Sequence, residues 1–240
     1  MEPSMDANDR RIRQGRATNK AQTGYSSTLA GLLIWCAFAV GCAVVEPPET
    51  KVSTKQTPAS KNQAITRLEA GRTGFVITET PKFLTTWGTD FERAVALMQE
   101  DNEKQAMPIL EEIVGQSPVV TAPYINLAMI YRHAGQYEQA EELLQKALKL
   151  VPGHPVANNE YGLVLRQTGR FAEAREVYET TLLMFPEYLP VHRNLGILCE
   201  LYLGDTACAV EQYTIYSKAK ADDETVALWI ADLNLRMGSN

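Results

Sequence analysis

The most reactive side chains in this 240-residue chain are four cysteines and three histidines. Cys199 with His192 has the composition of a nucleophile and its base, but the two stand seven residues apart on one predicted helix, where Cys199 is expected to fill an apolar core place. His133, His154 and His192 occur singly, without the i, i+4 pairing that sets two imidazoles on one helix face, so no metal site is expected. The chain contains no GxxxxGK(S/T), GxSxG or GxGxxG, which removes the support for nucleotide binding or the common hydrolase layout. The expectation is a protein that is not an enzyme, with no cofactor and no small-molecule substrate.

Charge narrows the partners further. The chain is 45% apolar with a formal charge of −6 and a pI near 5.2. Residues 1–27 and 28–86 each carry a net +2, whereas residues 87–240, with 12 basic and 22 acidic side chains, carry −10. An acidic folded part has no counterions to release from a phosphate backbone, so no nucleic-acid partner is expected.

The elements that must position any site follow from self-comparison at an offset of 34 residues. Pro118, Pro152 and Pro186 recur at that step, as do Ala106, Ala140 and Ala174, and Ala94, Ala128, Gly162 and Gly196. Gly135 and Gly169 repeat as well, and bulky residues hold register at Leu97, Tyr131, Leu165 and Cys199 and at Leu110, Leu144 and Tyr178. Each unit reads as a helical hairpin. Glycine permits the intervening turn, and proline stops the second helix. A small residue at Ala128, Gly162 and Gly196 lets the second helix approach where Ala140 and Ala174 are expected to face it, with Tyr131, Tyr137, Phe171 and Tyr178 filling the space between helices.

The run from Tyr124 to Pro152 resembles the tetratricopeptide repeat, and Gly162, Gly169, Phe171, Ala174, Tyr178 and Pro186 make a second strong unit. The resemblance covers Trp87 to about Lys218 and implies an all-α solenoid of about four stacked hairpins with a right-handed curve. In the first unit Asp101-Asn102 replaces the glycine turn, and Pro108 is expected to bend or loosen the second helix. In the fourth, Gly204, Ala209 and Tyr213 are displaced by one residue, which implies an inserted residue in the turn. Cys199 and Cys208 fall on opposite helices of this hairpin; a disulfide, permitted in an oxidising compartment, and two buried thiols both remain open. Residues 222–237 read as a capping helix with an apolar stripe of Val226, Leu228, Trp229, Leu233 and Leu235, covering the last repeat.

The resemblance also implies that the first helices of the hairpins line a concave groove for a protein or peptide partner. Carried over by repeat phase, its lining is Phe91, Val95 and Met98 from the first unit, Ile125, Asn126, Met129 and Arg132 from the second, Asn159, Leu163 and Arg166 from the third, and Arg193, Asn194 and Ile197 from the fourth. Asn pairs with a peptide backbone and Arg grips carboxylates bidentately. The convergence of three arginines points to an acidic patch or a C-terminal carboxylate on the partner. On the second helices Glu138, Glu141, Glu142, Glu173, Glu176 and Glu179 read as a solvated convex face.

Ahead of the solenoid, residues 1–41 have the build of a secretory signal or an uncleaved signal anchor: Arg10, Arg11, Arg13, Arg16 and Lys20 precede seventeen uncharged residues, 29–45. Ala39-Val40-Gly41-Cys42 resembles the lipobox of bacterial lipoproteins, which implies lipid on Cys42, and Ala43 resembles the pattern that sorts such proteins to the outer rather than the inner membrane. Residues 42–63, rich in Pro, Thr, Ser and Lys, are expected to form a disordered tether. Residues 64–86 are expected to lie extended against the domain, with Gly74-Phe75-Val76-Ile77-Thr78 β-prone but lacking a strand partner, and the solenoid is expected over 87–240.

Together these readings give a scaffold tethered on the periplasmic side of the envelope, holding a subunit of an envelope complex in its groove. Similar lipoproteins serve TonB/Exb or Tol-type energy transduction and pilus or secretin assembly. The alternative is a periplasmic holdase that receives unfolded clients at Phe91, Val95, Met98, Ile125 and Met129; a self-associating solenoid is the third reading.

Overall fold

The computed structural model describes residues 63–67, 74–79 and 84–238. The signal, nearly all of the tether, and with them Cys36 and Cys42, lie outside the described residues. Within them, two strands, β1 (Gln63–Arg67) and β2 (Phe75–Glu79), precede α1 (Leu84–Gln99), α2 (Glu103–Gly115), α3 (Ala122–His133), α4 (Tyr137–Leu150), α5 (Pro155–Gln167), α6 (Phe171–Met184), α7 (Leu189–Leu198), α8 (Thr206–Ala219) and α9 (Glu224–Gly238). The helices pair consecutively into four hairpins, each stacked on the next, and α9 packs on α8. None of the described helices is long and apolar enough to cross a membrane.

The turns show why the register is so regular. Gly135 (φ 76°) and Gly169 (φ 81°) take the left-handed conformation, and the next residue closes a bond back over five positions, from the amides of Gln136 and Arg170 to the carbonyls of Tyr131 and Leu165, each 2.8 Å. That is a Schellman ending, which satisfies carbonyls that a helix terminus leaves free. The first hairpin makes the same turn without glycine: Asp101 adopts φ 57°, and the Asn102 amide reaches the Leu97 carbonyl at 2.8 Å. Asp tolerates this region better than most residues. Pro108 does not break α2. It lies exposed, so the carbonyl it leaves unbonded sits on a solvent-facing side of the helix.

The inserted residue of the fourth unit is placed differently from the sequence expectation. It is absorbed before the turn, where α7 continues into a π-helical turn, Cys199–Leu203, and the closing bond lengthens to six positions, from the Asp205 amide to the Cys199 carbonyl at 2.9 Å. A π turn accommodates one extra residue without breaking the helix. Gly204 (φ 68°) then makes the turn as its counterparts do.

Packing inside the hairpins also refines the expectation. The glycines of the first helices are met by aromatic rings rather than by Ala140 or Ala174: a Cβ on Gly162 would lie 2.2 Å from Cε1 of Tyr178, and one on Gly196 would lie 2.4 Å from Cε1 of Tyr213. Both tyrosines are fully buried. The capping helix buries Val226, Trp229 and Leu233, with Trp229 5.4 Å from the Tyr213 ring. Leu228 and Leu235, however, are 69% and 72% exposed. At about 100° per residue, Leu228 lies some 200° around the helix from Val226, so the five apolar residues divide between two faces.

The β-prone run does have a strand partner. β1 and β2 pair antiparallel from Gln63 with Glu79 to Arg67 with Phe75, so the last tether residue and the segment after it form a hairpin.

Candidate partner-binding face

The first helices α1, α3, α5 and α7 carry all thirteen groove residues named from the sequence. Six of these keep part of their surface exposed: Phe91, Val95 and Met98 on α1 and Asn126, Met129 and Arg132 on α3. Ile125 is buried, as are Asn159, Leu163 and Arg166 on α5 and Arg193, Asn194 and Ile197 on α7. The face is therefore accessible at its first two hairpins and closed at the last two.

The expected arginine clamp does not form. Arg132 Nε donates to Glu160 Oε2 at 3.1 Å, so its carboxylate is supplied from within the chain. Glu160 Oε1 accepts from Asn159 Nδ2 at 3.2 Å, and Asn159 Oδ1 accepts from Asn194 Nδ2 at 2.9 Å. On the other side Arg132 Nη2 donates to His133 Nε2 at 2.8 Å. His133 must then carry its proton on Nδ1, which donates to Glu103 Oε1 at 2.6 Å. One polar chain thus runs from α2 through α3 and α5 to α7. Arg166 lies over the Tyr202 ring, 5.9 Å from its centre, and Arg193 over the Trp229 ring at 5.4 Å. Buried guanidinium groups are tolerated only where partners replace water, and here those partners lie in three different places. Asn126, partly exposed, spends one amide hydrogen on its own helix, donating to the Ala122 carbonyl at 2.8 Å.

Glu160 and Glu200 stand outside the thirteen lining residues, although the register marks both. Glu160 stands 34 residues from both Asn126 and Asn194, and Glu200 stands 34 from Arg166. Glu200 accepts from the Tyr213 hydroxyl at 3.0 Å and from Arg236 at 3.1 Å, tying the π turn to α8 and α9. The hydroxyl of Tyr188, at the start of the fourth hairpin, is raised well above its ordinary pKa by burial and by the charge of Glu160. On the second helices Glu141 and Glu173 both hold Arg170, and Glu179 and Asp205 both hold Arg175; Glu141 and Asp205 thereby brace neighbouring hairpins, whereas Glu173 and Glu179 pair within the third.

The histidines serve structural roles. His192 bonds Gln212 and the Pro186 carbonyl, both at 2.7 Å. His154 caps α5, its Nδ1 accepting from the Ala157 amide at 3.3 Å, and burial lowers its pKa to about 4. The unfolded chain binds a proton near pH 6.5, whereas the folded chain resists it until about pH 4. Stability conferred by the neutral ring is therefore complete above pH 6.5 and is lost as the pH falls toward 4. Between pH 8 and pH 5 the expected loss is about 1–2 kcal/mol. His154→Asn, which keeps a capping acceptor but does not titrate, should flatten that slope in denaturant unfolding measured at each pH; an unchanged slope would assign it elsewhere.

Cys199 and Cys208 form a disulfide with their Cα atoms 6.0 Å apart. Among the described residues, Cys199, Asp205 and Cys208 are the ligand-type side chains that gather within 4.8 Å of one another, but both sulfurs are taken by this bond.

Residues 119–179, spanning the second hairpin and most of the third, match the tetratricopeptide repeat family. That stretch is built of tetratricopeptide repeats. Solved structures of similar shape include pilF of Pseudomonas aeruginosa (TM-score 0.57, 23% identity, 64% of this chain and 69% of that one). MamA residues 41 to the end from Desulfovibrio magneticus RS-1 give a TM-score of 0.55 at 17% identity over 64% of this chain and 86% of that one. A thermophilic tetratricopeptide protein in Thermus thermophilus gives 0.55 at 19% identity over 63% and 82%. At these identities the likeness speaks for the fold. No curated protein matches the sequence. Tetratricopeptide domains bind protein partners.

Proposed function

We propose that the chain is a non-enzymatic scaffold tethered to the membrane on the periplasmic side of a bacterial envelope, by lipid on Cys42 or by an uncleaved anchor over residues 29–45, with the outer membrane favoured. Its tetratricopeptide domain holds a subunit of an envelope complex, of the TonB/Exb or Tol energy-transduction kind or of pilus or secretin assembly. The observation that carries the reading is the Cys199–Cys208 disulfide, a bond that persists in oxidising compartments and is rare in the cytosol. The groove lining supports it: Phe91, Val95, Met98 and Met129 offer apolar surface beside Arg132, whose charge is already balanced by Glu160. The partner segment is accordingly apolar rather than acidic where it crosses α1 and α3, which replaces the carboxylate preference expected from three free arginines.

The half-exposed apolar residues equally suit a holdase, and one experiment separates the readings. A photo-crosslinking amino acid at Met98, in cells producing the full chain, should yield one or two stoichiometric adducts from the membrane fraction. A continuum of unrelated adducts would overturn the scaffold in favour of the holdase. In the same cells Cys42→Ser should abolish labelling by a lipid precursor, whereas retained membrane association without any label in the parent chain would assign the anchor.

A further inference from the structure

The strand β2 lies on the solenoid through alternate side chains. Phe75, Ile77 and Glu79 are partly covered, and Val76 and Thr78 point outward. Phe75 stands edge-on to two rings, 5.3 Å from Phe185 and 5.4 Å from Tyr188, at the turn that opens the fourth hairpin. Four residues later the Glu79 carboxylate accepts from the Thr121 amide, at 2.8 Å and 3.1 Å to its two oxygens, at the start of α3. No side chain of α3's own N-cap bonds its free amides, so the carboxylate meets both an unsatisfied donor and the positive end of the helix. A five-residue strand, roughly 13 Å from first Cα to last, thus bridges the opening of the second hairpin to that of the fourth, along the rim where the first helices begin. Phe75 does not fill its slot. A partly open pocket of about 30 Å³ remains beside the ring, lined by Gly74, Phe75, Phe185, Glu187 and Tyr188.

We propose that this rim is a docking strip for an extended segment of a partner protein with the pattern aromatic, x, aliphatic, x, acidic, its aromatic residue larger than phenylalanine, and that β2 is a built-in competitor for it. The chemistry is displayed by β2 itself: an aromatic slot at one end, a carboxylate seat on a helix N-terminus at the other, and backbone spacing that sets both on one face of a strand. Because β2 is joined to α1 by residues 80–83 alone, its effective concentration at the strip is on the order of millimolar. A free segment of ~100 μM intrinsic affinity therefore loses roughly tenfold against it. A tyrosine in the slot recovers part of that loss by filling the pocket. The strip would then be occupied only when the partner is abundant or doubly attached, through both the rim and the face on α1 and α3. The inference rests on the protein-binding reading above and specifies the partner's chemistry.

The test uses the full chain in detergent and the peptide Ac-GYVITE-NH2, the 74–79 sequence with tyrosine at the place of Phe75. The peptide should bind the variant Phe75→Ala with Glu79→Gln about tenfold more tightly than the parent chain, and a peptide with alanine and glutamine at its two anchor places should bind neither. Equal affinity for variant and parent, or binding by the anchorless peptide, overturns the proposal. Should the variant unfold, hydrogen exchange on the parent chain decides: saturating peptide should release the β2 amides to exchange, and retained protection overturns it. A parent chain that is dimeric through exchanged hairpins and becomes monomeric with the peptide would assign the strip to a second copy and overturn the partner reading. Stoichiometric crosslinks at Met98 without peptide binding would defeat this inference alone; peptide binding without a crosslinked partner would defeat the scaffold alone.

Discussion

Gly162→Ala is expected to lower the unfolding free energy by about 2–3 kcal/mol, against the direction that helix propensity alone predicts. Alanine within a helix is favoured over glycine by about 1 kcal/mol, so propensity would have the substitution stabilise α5. Packing opposes it. The new methyl group would lie 2.2 Å from Cε1, 2.5 Å from Cζ and 2.9 Å from Cδ1 of Tyr178, a ring with no exposed surface and so no empty space to enter. Overpacking of this kind costs about 1–3 kcal/mol and more when the neighbour is trapped. The thermal midpoint should fall by roughly 5–10 °C for a domain of this size. The repeat supplies its own compensating change. One unit earlier the equivalent pair is Ala128 with Leu144, both buried, so Tyr178→Leu in the Gly162→Ala background should restore stability to within about 1 kcal/mol. A double-mutant cycle that shows simple additivity would mean that the ring does not meet this glycine. Gly196 and Tyr213 form the same pair in the fourth hairpin, where a Cβ would lie 2.4 Å from the ring.

Reduction of the Cys199–Cys208 bond is expected to cost about 3 kcal/mol. The bridged cysteines are nine residues apart, and the entropy removed from the unfolded chain by so short a loop corresponds to roughly 2.5–3 kcal/mol. The loop encloses the π turn, the left-handed Gly204 and the Asp205 cap, whose carboxylate accepts from the Cys208 amide at 3.0 Å. That hydrogen bond, together with Arg175, holds the Asp205 carboxyl below its ordinary pKa, so the cap stays charged over the neutral range. Guanidinium unfolding of the chain before and after treatment with a dithiol, and of Cys199→Ala with Cys208→Ala, should show the same shift in midpoint. An unchanged midpoint on reduction would show that the turn is held by its cap and helix packing alone. Exchange at the Asp205 amide should rise in the reduced form ahead of the other hairpins, because the bond to the Cys199 carbonyl spans the unusual six-residue step.

Much of the solenoid was legible because its contacts are short in sequence. A hairpin touches itself and its neighbours, so each packing requirement reappears 34 residues later and can be read by comparing the chain with itself. The turn glycines, the closing prolines and the one-residue displacement in the fourth unit were visible in this way. The displaced residue's location was not, since a π turn and a longer loop have the same length in sequence. The strand β1 was missed because QAITR has no distinctive pattern of its own and exists only by pairing with β2. The capping helix was recognised, but an apolar count over residues 222–237 could not divide Leu228 and Leu235 from the face that packs.

What the sequence determined by itself is the stack: four hairpins of tetratricopeptide type with a terminal helix, because local sterics and a recurring apolar register leave one economical way to bury these side chains. What only the tertiary structure decided is the state of the face. Arg132 looks like a free grip for a partner's carboxylate until Glu160 arrives from the next hairpin, and Arg166 and Arg193 look convergent until Tyr202 and Trp229 cover them separately. A buried charge must be matched by whatever group the fold brings to it, and register alone names the positions without saying which neighbours will meet across the gap.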